Sequence, residues 1–280
     1  MSSVESLYIH WPFCTSKCYY CDFVALEQHA DFQDAYHEVL LKEIRAYGAS
    51  NKTKAQIKTI FIGGGTPSLY PQNKLQALFK TLHNTFDLSL TSEITLEANP
   101  ADITEDRADT WEEVGINRIS CGVQVLDDQV LQKLNRRQRS IDVFNAAKIL
   151  PKYFSNVSMD LIIGLPGVHD ATWLKTIETI CSWPIQHISI YFLTVHEKTP
   201  LYFKVQRGDL ILPDEDALLA LYEKTITYVE QKGFLQYEIS NFAQNGFSSQ
   251  HNIGYWQRRP YKGFGIGAAS FDGSARTVNI

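Results

Sequence analysis

The chain of 280 residues has no long apolar run, no low-complexity tract and no block of like charge. A membrane-spanning helix needs about 20 consecutive apolar residues, so the sequence predicts no integral membrane segment. The formal net charge is −5, and an acidic balance gives no overall basic field that would attract nucleic acid. We therefore expect a soluble globular protein that does not bind nucleic acid.

Cysteine is also scarce, and its count of five is odd. Two of the five, Cys121 and Cys181, lie in apolar patterns that predict buried free thiols. The N-terminal run MSSVESLYIHWPFC lacks the charged segment and long apolar stretch of a secretory signal. These features together predict a reducing compartment and a cytoplasmic location.

Short β-rich runs alternate with longer amphipathic runs along most of the chain. The predicted strands are Leu7–His10, Ile57–Ile62, Glu93–Glu97, Arg118–Val123, Asn156–Ile163 and His187–Leu193. The predicted helices between them are Phe32–Tyr47, Asn73–Phe86, Thr104–Val114, Asp142–Leu150 and Ala171–Ser182. This alternation is typical of βαβ units and a parallel sheet. No glycine-rich dinucleotide fingerprint follows the first strand.

Polar and glycine residues cluster after the strands, at the edge where parallel barrels and open sheets place their functional groups. Six such units favour an α/β fold with a partial (β/α)6 barrel rather than a closed barrel of eight strands. We expect the barrel core over residues 1–200. Residues 201–280 are expected to form a C-terminal extension that contains a long helix over Asp214–Gln231.

Three thiols, Cys14, Cys18 and Cys21, lie within eight residues in the run YIHWPFCTSKCYYCDF. Three thiolates can hold three irons of a [4Fe–4S] cube and leave the fourth iron free for another ligand, whereas four cysteines make an electron carrier. A zinc site would need further ligands in paired spacing. A disulfide would leave one thiol unpaired, and three unrelated cysteines remain an alternative.

These motifs, in this order, resemble the radical S-adenosylmethionine (SAM) enzymes. Within them, they are similar to the branch that contains oxygen-independent coproporphyrinogen III oxidase (HemN) and HemW, a haem chaperone. The motifs are LYIHWPFC-x₃-C-x₂-C, FIGGGTPS, LEANP, RISCGVQ, SMDLIIGLPG and HNIGYW, which span Leu7 to Gly273. HemN enzymes carry a further cysteine just beyond the third ligand. Here Asp22 and Phe23 follow Cys21, as in HemW-like proteins.

The resemblance implies a [4Fe–4S] cluster on Cys14, Cys18 and Cys21, with SAM bound to the free iron. Reduction of the cluster cleaves SAM to methionine and a 5′-deoxyadenosyl radical, a chemistry that the cofactors supply. The residues expected to bind SAM are Tyr8, Tyr20, Gly64, Gly65, Thr66, Glu97, Gln124, Arg136 and Asp160. For each of them the resemblance competes with a plain structural role, such as a packed tyrosine, a tight glycine turn or a paired carboxylate.

The run HNIGYW matches the HNxxYW signature proposed for haem binding in HemW. The resemblance implies that His251 binds haem iron and that Tyr255 and Trp256 stack on the macrocycle. The alternative is a packed corner, since a histidine close to two aromatic residues often has only a structural role.

Three features depart from the family pattern. Gln138 stands where a histidine usually follows the conserved arginine, and Ala269 replaces a second histidine. The chain also stops at Ile280, where the family usually continues into a helical C-terminal domain, so we expect a truncated copy or an incomplete chain. The expected effect is on substrate handling rather than on cofactor binding.

Three functions follow from this pattern. The first is a HemW-like protein that binds a cluster, SAM and haem and delivers haem to an acceptor protein, with an electron donor as a further partner. The second is a HemN-like enzyme that oxidatively decarboxylates coproporphyrinogen III. The third is a degenerate cluster protein that has a structural or redox role and no turnover.

Overall fold

The computed structural model of the chain describes residues 4–50 and 53–280. The strands in these ranges are β1 Ser6–Trp11, β2 Phe13–Cys14, β3 Leu26–Glu27, β4 Thr59–Gly64, β5 Glu93–Ala98, β6 Arg118–Gln124, β7 Val157–Ile163, β8 His187–Phe192, β9 Leu235–Gln236, β10 Asn241–Ala243, β11 Tyr261–Phe264, β12 Ala269–Phe271 and β13 Arg276–Val278. Short 3₁₀ turns cover Ala30–Phe32, Pro67–Leu69 and Pro100–Asp102.

Most of the helices follow a strand of the sheet. The helices in the described ranges are α1 Gln33–Ala49, α2 Gln72–Thr85, α3 Glu105–Glu113, α4 Asp128–Lys133, α5 Ser140–Tyr153, α6 Asp170–Cys181, α7 Pro200–Gln206, α8 Glu215–Gln231 and α9 Gln250–Trp256. Several begin at a side-chain cap, such as Thr104 before α3 and Asp214 before α8, which satisfies backbone N–H groups that the first helical turn leaves free. Among the described helices, none has both the length and the apolar character that a membrane crossing requires.

The main sheet has the strand order β13-β12-β11-β1-β4-β5-β6-β7-β8-β10-β9. Six neighbouring strands, β1, β4, β5, β6, β7 and β8, pair in parallel. The partial barrel predicted from the sequence is therefore confirmed. Each of these strands starts or ends within two residues of its predicted bounds. The short elements α4, α7, α9 and β9 to β13 were not predicted.

The apolar core lies between the sheet and the helices that cover its outer face. Ile119, Cys121 and Val123 alternate along β6 and are fully buried there. Trp173 of α6 is also buried, and its Nε1 donates to Thr225 Oγ1 of α8 at 2.8 Å. Burial of apolar area at about 25 cal/mol per Å² drives this packing. The inner face of the sheet is therefore free to carry polar residues.

The C-terminal extension predicted over residues 201–280 adds strands to both edges of the barrel sheet. Strand β11 pairs in parallel with β1, and β10 pairs antiparallel with β8. Residues from the last part of the chain therefore extend both edges of the barrel sheet and share its core. The physical reason is that β1 and β8 would otherwise expose unpaired backbone groups at the sheet edges.

Helix α9 is held against the inner side of the sheet by Glu93 of β5. The two carboxylate oxygens of Glu93, which is only 4% exposed, accept hydrogen bonds from Ser249 Oγ and from the backbone N–H groups of Gln250 and His251, at 3.2, 2.8 and 3.0 Å. A buried carboxylate at the start of a helix satisfies N–H donors that otherwise lack partners.

We expect Glu93→Gln to lower the free energy of unfolding by about 2 kcal/mol, because an amide replaces an acceptor that three donors face. Urea unfolding followed by circular dichroism measures this loss. Glu105→Gln is the matched control, since it removes an exposed pair with Lys152 whose loss costs less than about 1 kcal/mol. Equal effects of the two substitutions would contradict the role of Glu93.

Candidate functional site

A cavity of about 540 Å³ opens at the carboxyl edge of the parallel strands and extends into the barrel interior. Eleven of the residues predicted to bind the cluster or SAM line it: Cys14, Cys18, Tyr20, Cys21, Gly64, Gly65, Thr66, Glu97, Gln124, Arg136 and Asp160. A second cavity of about 590 Å³ lies between α1 and α2 and contains none of the predicted residues. The carboxyl-edge cavity is therefore the candidate site.

The loop that carries the cysteines is hydrogen-bonded to the residues that follow α4. The Tyr19 N–H donates to the carbonyl of Leu134 at 3.0 Å, and Asn135 Nδ2 donates to the carbonyl of Lys17 at 2.9 Å. Asn135 has a φ of 59°, a left-handed conformation that asparagine tolerates better than most residues. The chain after α4 thereby fixes the position of the loop around Cys18.

The three thiols are free and half-buried on the cavity wall. Burial raises the pKa of the Cys21 thiol to about 11 and also raises that of Cys14. Thr66 Oγ1 donates to Cys14 Sγ at 3.3 Å, and Arg136 Nη1 lies 3.5 Å from Cys18 Sγ. The Thr66 hydrogen bond lowers the pKa of Cys14 and so opposes part of the effect of burial.

The donor set fits a cluster better than a single metal ion. Within the described ranges, no three His, Cys, Asp or Glu side chains come close enough together to hold one ion, which disfavours the zinc alternative. The three thiols are separate and lie on one cavity wall, and a hydroxyl and a guanidinium donate to two of them. This arrangement suits a [4Fe–4S] cube in which three of the four irons each bind one thiolate.

The glycines after β4 lie directly beneath the cysteine loop. The N–H of Gly65 donates to the carbonyl of Trp11 at 2.8 Å, and a Cβ at Gly65 would lie 2.5 Å from Pro12 O and 2.9 Å from Cys14 Sγ. Gly64 has a φ of +123°, and a Cβ there would lie 2.8 Å from His10. At Gly65 the backbone therefore makes room for the cysteine loop, and at Gly64 it makes room for the His10 side chain.

The polar side chains of the interior follow the alternation of the strands, in which every second residue points inward. Asp160 of β7 accepts hydrogen bonds from three serine hydroxyls, one on its own strand and one on each neighbouring strand. These are Ser158 of β7 at 2.8 Å, Ser120 of β6 at 2.6 Å and Ser189 of β8 at 2.7 Å. Three donors satisfy this half-buried carboxylate without a cation. The serines are apparent in the sequence only after the strands are aligned in register.

Glu97 lies at the end of β5 and accepts a hydrogen bond from the Gly64 N–H at 3.2 Å. Burial, and secondly the nearby Asp160 carboxylate, raise the pKa of Glu97 to about 7. This carboxyl group changes charge near neutral pH, which is unusual for a residue held only for structure.

Arg136 is held by groups of the protein at three positions. Its Nη2 donates to Gly122 O at 2.7 Å and its Nε to Gln138 Oε1 at 2.8 Å, while Nη1 faces Cys18. Gln138 is 1% exposed, and it also accepts from Asn99 Nδ2 at 3.1 Å and donates to Gly122 O at 3.1 Å. Gln138, which departs from the family pattern, therefore positions the arginine.

Gly122 was missed in the sequence, although it stands in the motif RISCGVQ. A Cβ there would lie 3.0 Å from Gln124 Nε2 and 3.2 Å from Arg136 Nη2. The register of β6 also shifts between Gly122 and Gln124, and Gln124 has a φ of 69°. This irregularity directs Gln124 toward the cavity.

Tyr8 does not line the cavity. Its hydroxyl lies 3.0 Å from His10 Nδ1, and its ring stacks on Phe61. Tyr20 does line the cavity, and its buried hydroxyl has no hydrogen-bond partner within the described residues. His196 and Asp22 were also missed. They form an exposed pair at 3.3 Å at the mouth of the same cavity.

The structure does not support the prediction that His251 binds haem iron. Its side chain is buried in the first turn of α9, where Nδ1 bonds to Thr59 Oγ1 and Nε2 to the Tyr255 hydroxyl, both at 2.8 Å. Burial, and secondly the charge of Arg118, lower the pKa of His251 to about 3. A neutral imidazole with both nitrogens bonded has no lone pair left for iron. Tyr255 and the exposed Trp256 lie outside the cavity.

Comparison with known proteins agrees with this geometry. The family model of the radical SAM superfamily matches residues 8–180. The fold is similar to that of the coproporphyrinogen III oxidase HemN of Escherichia coli, a radical SAM enzyme, with a TM-score of 0.85 and 24% identity, over 99% of this chain and 67% of that one.

Two bacterial relatives are more similar in sequence. The haem chaperone HemW of Bacillus subtilis is 37% identical over 283 residues, which is 99% of this chain and 73% of the relative. The haem chaperone HemW of Lactococcus lactis is 34% identical over 277 residues, with 99% and 72% coverage. This chain therefore belongs to the radical SAM superfamily, and within it to the HemW-like proteins.

Proposed function

We propose that this chain is a haem chaperone that binds a [4Fe–4S] cluster and SAM and delivers haem to an acceptor protein. One observation carries the proposal: the three free thiols, Glu97, Arg136 and Asp160 line one cavity in a chain whose relatives at 34–37% identity are named haem chaperones. Of the three functions considered, this one agrees with both the site and the relatives.

Cys14, Cys18 and Cys21 hold the cluster in this proposal. One-electron cleavage of SAM is the chemistry that the cluster and SAM supply together when bound. Thr66 and Arg136 place a hydroxyl and a guanidinium against two of the sulfurs, which lowers the energy of the anionic cluster relative to the unbound thiols.

SAM binds on the adjacent cavity wall. Gly64 and Gly65 offer their carbonyl groups there, since their N–H groups already bond to Glu97 and Trp11, and Thr66 lines the same wall. Glu97 accepts hydrogen bonds from the amine or the ribose of SAM. Asp160 and Gln124 add polar contacts, while Arg136 offers its charge to the SAM carboxylate. The haem acceptor and the electron donor act outside the cavity, at its open mouth.

Cys18→Ala tests the cluster ligands. We expect the anaerobically reconstituted variant to lose the brown charge-transfer absorbance and most of its iron, because two thiolates do not hold the cube. Iron and sulfide analysis with absorption spectroscopy measures this. Cys181→Ala is the matched control, since it removes a half-buried free thiol on α6, and it should keep the full cluster. A full cluster in the Cys18 variant would refute the ligand set.

Glu97→Gln tests the carboxyl group. The pKa of Glu97 is about 7 in the folded protein, against an ordinary value of 4.5. Between these values the folded state keeps a proton that the unfolded state releases, so stability falls as the pH rises through this window. We expect the variant to melt above wild type at about pH 8, to approach it near pH 5, and to bind SAM about tenfold more weakly.

Thermal scans at the two pH values and SAM titration by calorimetry measure these effects. Glu105→Gln, an exposed carboxylate paired with Lys152, should show neither change. A Glu97→Gln variant that melts below wild type at both pH values, with unchanged SAM affinity, would show that the carboxyl group serves only the fold.

Haem titration tests the cargo. We expect the Soret band of the reconstituted protein to report saturable binding of one haem per chain, followed by transfer to an apo-haemoprotein. The His251→Ala variant, measured at a temperature where the variant is folded, should still bind haem. The reason is that both ring nitrogens of His251 already form hydrogen bonds within the protein. If the folded variant loses haem, α9 must move to release the imidazole. Coproporphyrinogen turnover by a wild-type protein that binds no haem would favour the oxidase.

A further inference from the structure

Arg118 is a buried cation in the barrel interior. It is the first residue of β6, it is 2% exposed, and it lines the 540 Å³ cavity. A guanidinium is always charged in proteins and carries five N–H donors. Within the described residues, its side chain makes no hydrogen bond and has no carboxylate at ion-pair distance, and its Nε is completely buried.

The carboxylates of the interior are already bonded to other groups. Glu93 binds the N-terminus of α9, Asp160 accepts three serine hydroxyls, and Glu97 accepts the Gly64 N–H. Arg118 lies near enough to lower the pKa of Glu97, but among the described residues no ion pair of 4.0 Å or less joins the two side chains. An unpaired buried charge destabilises a fold, and such residues are usually retained for binding.

Arg118 lies deep in the barrel. Gln124, at the other end of β6, is six positions further along the chain, which corresponds to about 20 Å along a strand. Ser120, two residues further along the same face of β6, lines the cavity with it. Thr95, its partner in register on β5, has a buried hydroxyl that also lacks a hydrogen bond. Arg118 and Thr95 therefore bring unused hydrogen-bonding groups together at the deep end of the cavity, which we call its floor.

This floor has the chemistry of an anion site. A guanidinium binds a carboxylate through two parallel hydrogen bonds, and the pair is strongest where water is excluded. The floor lies below the residues assigned to SAM, so the carboxylate must belong to a ligand or ligand arm that enters the interior. Haem carries such groups only on its two propionate side chains.

We propose that Arg118 is the anion-binding residue of the barrel interior and that it binds a propionate of the tetrapyrrole which this protein handles. The assignment rests on the proposed function for the identity of the ligand. It gives the interior a carboxylate subsite that is separate from Arg136, whose donors face Cys18, Gly122 and Gln138.

The first test compares haem with haem dimethyl ester, in which both propionates are neutral. We expect the reconstituted full chain to bind haem about 10- to 100-fold more tightly than the ester, the range of a charged hydrogen-bonded pair. Arg118→Met should remove this preference and Arg118→Lys should restore part of it. Absorption titration measures the affinity of wild type and of the Arg118→Met variant for haem and for haem dimethyl ester.

The second test uses the protein without haem. Arg118→Met should raise the melting temperature, because it removes an unpaired buried charge. Sodium propionate should raise the melting temperature of wild type but not of the variant, and neutral propionamide should affect neither. These measurements separate a binding residue from a structural one, since loss of a structural arginine lowers the melting temperature.

Three results would overturn the proposal. The first is a methionine variant that melts below wild type and keeps the preference for haem over the ester. The second is a variant that loses affinity for SAM rather than for haem, which would give the carboxylate to SAM. The third is wild-type protein that binds neither haem nor its ester, which rejects the proposed function. In that case, stabilisation by propionate that depends on Arg118 would still establish the anion site for another carboxylate.

Discussion

The structure depends on the different character of the two faces of its parallel sheet. On β6 the outward residues Ile119, Cys121 and Val123 are fully buried against helices, while the inward positions carry arginine, serine and glycine. In a closed eight-stranded barrel the interior is usually filled with branched apolar side chains. Here the interior is a polar cavity, and each charge in it must find hydrogen bonds from the protein or from a ligand.

This requirement links distant parts of the chain. The cysteine loop lies close to the glycines after β4, and Arg136 reaches Cys18 because Gln138 and the carbonyl of Gly122 hold its guanidinium. A change at any of these positions would move the thiols. The replacement of a histidine by Gln138 is compatible with this network, because its amide supplies both the acceptor and the donor that the neighbouring groups require.

Much of the fold could be predicted from local patterns in the sequence. The six parallel strands follow from alternating apolar runs, and the grouping of site residues follows from their positions at the strand ends. The register of the strands is not visible in the sequence. The serines around Asp160 and the buried charge of Arg118 became apparent only once neighbouring strands were aligned.

The C-terminal region was the hardest part to predict, because short elements carry weak periodicity. β9 has two residues, and β10, β12 and β13 have three each, so pairing with distant strands decides their conformation rather than local propensity. His251 shows the same limit. Its sequence motif suggested a ligand, whereas its neighbours Thr59 and Tyr255 use both of its nitrogens.

Helix α9 has a consequence for the order in which molecules enter the interior. Glu93 holds this helix across the amino ends of the strands, and Asn252 of the helix lines the far end of the cavity. The route to the floor therefore runs past the cysteine loop and the wall assigned to SAM. In the proposed function, SAM on that wall would block this route, so a ligand bound at Arg118 would be held in the interior for as long as SAM stays bound.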